Sequence, residues 1–133
     1  MLSARQAQHL LTAGEERAAR IGVPVNIAVL DAGAHLKAFL RMDGAVLGSI
    51  DIALKKARTA VLFGAASEAV WEYCKPGAPA PGLELSNDGL APFAGGIPLK
   101  DRNGAIVGAV GVSGGAVPQD LEIAQAAVAV FYF

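Results

Sequence analysis

Apolar positions near the start of the chain fall at helical spacing: Ala7, Leu10, Leu11, Gly14, Ala18 and Ile21 lie along one stripe. Ser3, with Gln6 three residues later, makes a capping-box pattern, and Gly22 supplies a stop, so a helix is predicted over Ser3–Ile21. The pattern then changes. Val25–Leu30 is an apolar, β-branched-rich run, Asp31–Ala34 reads as a turn, and His35–Arg41 reads as a second strand, together a hairpin. In the second strand His35, Lys37, Phe39 and Arg41 share one face, while Leu36, Ala38 and Leu40 share the other. That alternation predicts one core face and one polar face carrying a single aromatic.

Helical spacing returns at Ile50, Ala53, Leu54, Ala57, Ala60 and Val61, predicting a helix over Ser49–Phe63 with Ser49 as its N-cap. Lys55, Lys56 and Arg58 ride on this helix and read as a solvated face. Lys56, at the edge of the apolar stripe, is the one best placed to point into a cleft. After Gly64, Ser67–Cys74 reads as a short capped helix carrying Trp71 and Tyr73. Lys75–Gly82 follows, and its three prolines and two glycines exclude helix and central strand. Leu83–Leu85 and Leu90–Phe93 bracket a turn at Ser86–Gly89.

The stretch Phe93–Asp120 organises the rest. It holds a Gly95-Gly96 pair, the apolar run Ile97–Leu99, a turn at Asp101–Gly104, a second run Ala105–Val112, and Ser113-Gly114-Gly115. Asn103-Gly104 between two apolar runs is a hairpin signal, because both residues tolerate positive φ. Gly108 and Gly111 lack a Cβ and allow another backbone to come close. Pro118 opens the last helix, whose body is apolar nearly all round and predicts burial or packing on another subunit. Adjacent hairpins without βαβ alternation imply an α+β fold with an antiparallel sheet, in one domain over residues 1–133.

Composition narrows the function classes. A formal net charge of −1 argues against nucleic acid. The chain is 53% hydrophobic and 17% charged, against about 25% charged in ordinary soluble domains. No apolar run reaches the roughly 18 residues of a membrane span, and the first residues show no signal-peptide pattern. The expectation is a cytoplasmic homo-oligomer that hides its apolar excess between subunits, with no membrane partner. Cys74 is the lone cysteine, which excludes an internal disulfide and any CxxC motif, and reads as a buried thiol.

The segments VLDAGAHLKAFLRMDGA, KKARTAVLFG, FAGGIPL and GAVGVSGG…QD…IAQAA resemble the GlcG/HbpS (haem-degrading) family, over roughly Ser3 to Ala129. They are similar as well to the C-terminal domain of PduO-type proteins. The resemblance implies a profilin-like α+β fold with a five-stranded antiparallel sheet flanked by helices, oligomeric assembly, and a small-molecule or tetrapyrrole ligand.

Haem, held non-covalently since no CxxCH occurs, needs an axial donor beside an apolar slot. His35 is the leading candidate, against its reading as a turn histidine; Tyr73, Cys74 and Met42 are weaker, and His9 reads as a surface residue. A different class is an enzyme or binder for a small organic anion. Arg41 would hold a carboxylate in two bonds, Lys56 would add charge, and Asp43 would orient the arginine or act as a base. Backbone N–H groups at Gly95-Gly96, beside Phe93, or at Ser113-Gly114-Gly115 would form an anion nest. The dull alternatives are an Arg41–Asp43 ion pair and glycines that only make turns. A third class is a non-catalytic oligomeric accessory protein. GxSxG, P-loop, HExxH and strand–GxGxxG–helix patterns are absent from the sequence.

Overall fold

Ser3 closes a capping box: its Oγ accepts from the Gln6 N–H at 3.0 Å, and the Gln6 Oε1 accepts from the Ser3 N–H at 2.8 Å. The helix it starts, α1, spans Ala4–Ile21 and ends on Gly22 in the left-handed region. The computed structural model describes residues 1–132, and the elements that follow are β1 (Asn26–Asp31), β2 (Leu36–Arg41), α2 (Ser49–Phe63), α3 (Ser67–Cys74), a 3-10 turn (Leu83–Leu85), β3 (Gly96–Lys100), β4 (Ile106–Ser113) and α4 (Val117–Ala129).

The strands form one antiparallel sheet in the order β2-β1-β4-β3. Both predicted hairpins are present, and the two are joined by pairing of β1 with β4, from Asn26 opposite Ser113 to Asp31 opposite Gly108. Asp101 builds the β3–β4 turn, its Oδ1 accepting from the N–H groups of Asn103 and Ala105.

Five strands were expected from the family resemblance; among the described residues the sheet has four. The segment between α3 and β3 supplies no further strand, because its backbone is committed elsewhere. Leu83–Leu85 coils into the 3-10 turn. The Leu90 N–H donates to the Glu84 carbonyl, the Ala91 N–H to Thr59 Oγ1, and the Phe93 carbonyl accepts from Ser67 Oγ. A chain whose donors and acceptors are satisfied by helix side chains cannot also make a ladder.

Helices cover both faces of the sheet. Ile27 and Val29 of β1, Leu99, Val110 and Val112 pack with α1 and α4. On the other face Ala28, Leu30 and Ala109 pack with Ala53, Ala57 and Ala60 of α2. The alternation expected on β2 holds in part: His35, Lys37 and Arg41 are exposed, but Phe39 from the same face packs against the α2-side core, while Ala38 and Leu40 pack on the other and Leu36 at the strand's start is exposed. Small residues set the spacing on the α2 side. A Cβ at Gly111 would collide with the Ala53 carbonyl and the Ala57 amide, and one at Gly96 with the Lys56 carbonyl. The expected Ser49 cap is also corrected: Gly48 occupies the N-cap without a side-chain bond, and Ser49 is a buried first-turn residue. Likewise α3 has no side-chain cap, since Ser67 turns its hydroxyl to Phe93.

Candidate functional site

Two regions at opposite ends of the sheet gather the chemistry-bearing residues. The first lies where β4 ends and β3 begins. Lys56, on α2, is 1% exposed and runs past Gly95. Its Nζ donates to Asp120 Oδ2 at 3.0 Å and to the Val112 carbonyl at 2.8 Å. It also sits 5.3 Å from the centre of the Phe93 ring. Asp120 is fixed in turn by the Gly115 N–H, which donates to Oδ1 at 2.9 Å. Burial pushes the Lys56 ammonium below its ordinary range, and the hydrogen bond and charge of Asp120 oppose that shift.

Gly95 makes this packing possible. Its φ of +128° belongs to glycine, and a Cβ there would stand 2.6 Å from the Val112 carbonyl and 2.8 Å from Lys56 Nζ. Ser67, fully buried, ties the loop down: its Oγ donates to the Phe93 carbonyl at 2.6 Å and accepts from the Gly96 N–H at 2.9 Å. Phe93 is thereby left half-exposed on a cleft of about 340 Å³ whose walls include Trp71, Pro92, Val117 and Glu68.

The second region is the β1–β2 turn. Asp31 Oδ1 accepts from the N–H groups of Gly33 at 2.9 Å and His35 at 3.0 Å, which shapes the turn. Those bonds, that of His35 first, hold the Asp31 carboxyl below the usual carboxylate range. The His35 side chain is 82% exposed, with Nδ1 3.6 Å from Asp31 Oδ1. It borders an open cleft of about 440 Å³ together with Met1, Leu2, Ile106, Val107 and Asp101.

The structure brings Lys56, Phe93, Gly95 and Gly96 together. Ser113, nearly buried, is close by on β4, one residue beyond Val112. Arg41 and Asp43 are exposed, and no ion pair joins them among the described residues. Arg41 sits on edge strand β2 opposite Asn26, which in turn faces Ser113, so two strand spacings, roughly 10 Å, separate Arg41 from Ser113. His35 is at the other end of β1, about 17 Å away by strand rise. Lys56 does not belong to a solvated face; only Lys55 and Arg58 do, pairing with Asp51 and the Asn87 carbonyl.

Asp120 is the residue that sequence reasoning missed. It reads as a dipole-favouring first-turn acid, and only the approach of α2 to the start of α4 reveals its lysine. The signal present in the chain was the edge position of Lys56 together with the paired glycines.

A haem requires a free donor and an apolar slot. Cys74 is buried, its Sγ directed at the Val70 carbonyl, and burial pushes its thiol pKa up. Met42 is packed on the core, its sulfur accepting from the Val25 N–H. Tyr73 is exposed beside a cleft lined by Phe63, Val70 and Leu83. His9 is exposed on α1 against Val130 and Phe131. Free donors beside apolar walls are therefore present, among them the exposed His35 imidazole, whose Nδ1 lies 3.6 Å from the Asp31 carboxylate. Among the described residues no group of three or more His, Cys, Asp or Glu side chains is arranged to hold a metal ion, and no helix is long and apolar enough to cross a membrane.

Comparison with known proteins places the chain among relatives. A family model described as haem degrading protein HbpS-like matches residues 2–129. A 15.0 kDa protein from the dhaT-dhaS intergenic region of Citrobacter freundii is 40% identical over 126 residues, covering 94% of this chain and 88% of that one. Corrinoid adenosyltransferase PduO of Salmonella typhimurium is 40% identical over 129 residues, which are 96% of this chain but 38% of that protein. Among solved structures, a PduOC:heme complex superimposes with a TM-score of 0.89 at 38% identity, covering 96% of this chain and 93% of that one.

Proposed function

The chain belongs to the HbpS-like family, and on that premise we propose that it is a non-covalent binding domain for haem or a closely related tetrapyrrole. The observation that carries the proposal is the exposed His35 imidazole at the mouth of an apolar-walled cleft, with the Asp31 carboxylate beside Nδ1. A similar structure described as a PduOC:heme complex supports the ligand class. Bound haem would supply an iron centre; this chain would supply the donor and the apolar walls. Exposed Leu85, Leu47 and Val46 support assembly into a homo-oligomer.

An organic-anion site built on Arg41 and Lys56 has less support. Two of the three Lys56 donors are spent on Asp120 and Val112, and Arg41 stands on the opposite sheet edge from β3.

The test is a visible-absorption titration of the purified protein with haem, run beside His35→Ala and His9→Ala, which between them cover both histidines of the chain. A saturable, stoichiometric Soret shift lost only in His35→Ala is the expected result. A shift retained in His35→Ala moves the ligand elsewhere, and loss in His9→Ala instead places it on α1. No saturable shift overturns haem binding.

A further inference from the structure

The β3–β4 turn, the first turns of α1 and the Phe131-Tyr132 segment beyond α4 enclose a cleft of about 480 Å³, lined by Gln6, Lys100, Asp101, Arg102, Phe131 and Tyr132. Its polar groups are nearly all donors. Lys100 and Arg102 are exposed and join no ion pair among the described residues. Gln6 Oε1 is taken by the Ser3 N–H at 2.8 Å, which leaves its NH2 group as the end free to donate. The Tyr132 hydroxyl oxygen accepts from the Lys100 N–H at 3.0 Å, so its own proton is available to another acceptor. The acid of the lining, Asp101, has Oδ1 committed to the N–H groups of Asn103 at 2.8 Å and Ala105 at 3.0 Å. Two cations against one carboxylate leave the lining one positive charge in excess. Phe131 and Tyr132 supply the apolar part, their rings meeting edge to face with centroids 5.1 Å apart.

We propose that this cleft binds a small aromatic monocarboxylate. Its carboxylate accepts from the Arg102 guanidinium, whose planar fork suits two oxygens at once, with Lys100, the Tyr132 hydroxyl and the Gln6 amide as further donors in the same lining. Its ring lies against Phe131 and Tyr132. One negative charge answers the one positive charge in excess. A neutral ligand leaves both cations without a partner, and an organic cation meets them as like charges. The volume falls within the range usual for small-molecule sites. The cleft meets the His35 cleft at Asp101 and shares no other lining residue with it, so the proposal stands or falls separately from haem binding.

The test follows the amide NMR shifts of the haem-free protein during titration with sodium benzoate, benzyl alcohol, benzylammonium chloride, sodium acetate and phenyl phosphate at matched ionic strength. The expected result is a saturable shift at Lys100, Arg102 and Tyr132 with benzoate. Binding is expected to be about tenfold weaker or worse for acetate, which lacks the ring, and for benzyl alcohol and benzylammonium, which lack the negative charge. Arg102→Gln is expected to weaken benzoate by a similar factor, and His35→Ala to leave it unchanged, which separates this cleft from the haem site. No saturable shift, equal affinity for acetate, benzyl alcohol or benzylammonium, an unchanged affinity in Arg102→Gln, or loss of binding in His35→Ala overturns the proposal. Tighter binding of phenyl phosphate than of benzoate reassigns the ligand to a phosphate monoester and overturns the carboxylate. If Arg102→Gln fails to fold, by far-UV circular dichroism, the comparison of benzoate with benzyl alcohol and acetate on the unmodified chain decides the matter.

Discussion

Lys56 Nζ and Asp120 Oδ2 stand 3.0 Å apart with side chains 1% and 3% exposed, joining α2 to α4 past the end of the sheet. A pair so enclosed is held together by the cost of separating it, since either partner alone would be a buried charge without a counterion.

Lys56→Met is therefore expected to destabilise the chain by about 3–5 kcal/mol, and Asp120→Leu by a comparable amount. The double variant Lys56→Met/Asp120→Leu is expected to recover much of that loss, because no charge is left unpaired. Urea unfolding of the three variants gives the coupling; additive losses would show that the two side chains act independently.

Gly95→Ala is expected to cost more than the roughly 1 kcal/mol of an ordinary glycine replacement. The residue has φ +128°, and the new methyl would meet the Val112 carbonyl at 2.6 Å. Thermal unfolding reads the loss. Gly104→Ala serves as the control, because it shares a positive φ but has open space around it.

Ser67→Ala removes a hydroxyl that donates to Phe93 and accepts from Gly96, and leaves the Gly96 N–H buried without a partner. The expected cost is about 1–3 kcal/mol. Amide hydrogen exchange at Gly96 is expected to quicken in the variant beyond the general loss of protection. Unchanged exchange there would show that the hydroxyl does not anchor the loop.

Asp31 supplies a pH dependence with a definite sign. Its carboxyl is held below the ordinary value of 3.8 by the backbone N–H groups of His35 and Gly33, so the ionised form favours the folded state. Its contribution is complete above that ordinary value and is lost as pH falls through the lower folded-state value. The stability advantage of the unmodified chain over Asp31→Asn is thus expected at pH 7 and 5 and is expected to shrink below pH 4, read by urea unfolding at each pH.

Cys74 is 4% exposed and its thiol is pushed up by burial, so Ellman's reagent is expected to label it slowly in the folded chain and quickly in urea. Rapid labelling without denaturant would contradict its burial at the end of α3.

Local patterns in the chain carried most of the elements. The stripe from Ala7 to Ile21 with its Ser3/Gln6 box, the run from Ser49 to Phe63, and the Asn103-Gly104 turn each depend on neighbours within a few residues, so the sequence alone determined them. The family resemblance was equally legible, because spaced motifs survive in linear order. What required the tertiary structure was everything set by contacts distant in sequence. Both faces of the sheet are covered, which no strand's own alternation announces, and Phe39 is therefore core although it shares a face with Lys37 and Arg41. The segment Leu83–Phe93 is no strand because Thr59 and Ser67, on two different helices, take its hydrogen bonds. The sequence set Lys56 apart from its neighbouring cations by its place at the edge of the apolar stripe, but its counterion appeared only when folding brought Asp120, 64 residues away, to its ammonium. A charge can be buried only where its counterion arrives, and that arrival is a property of the fold.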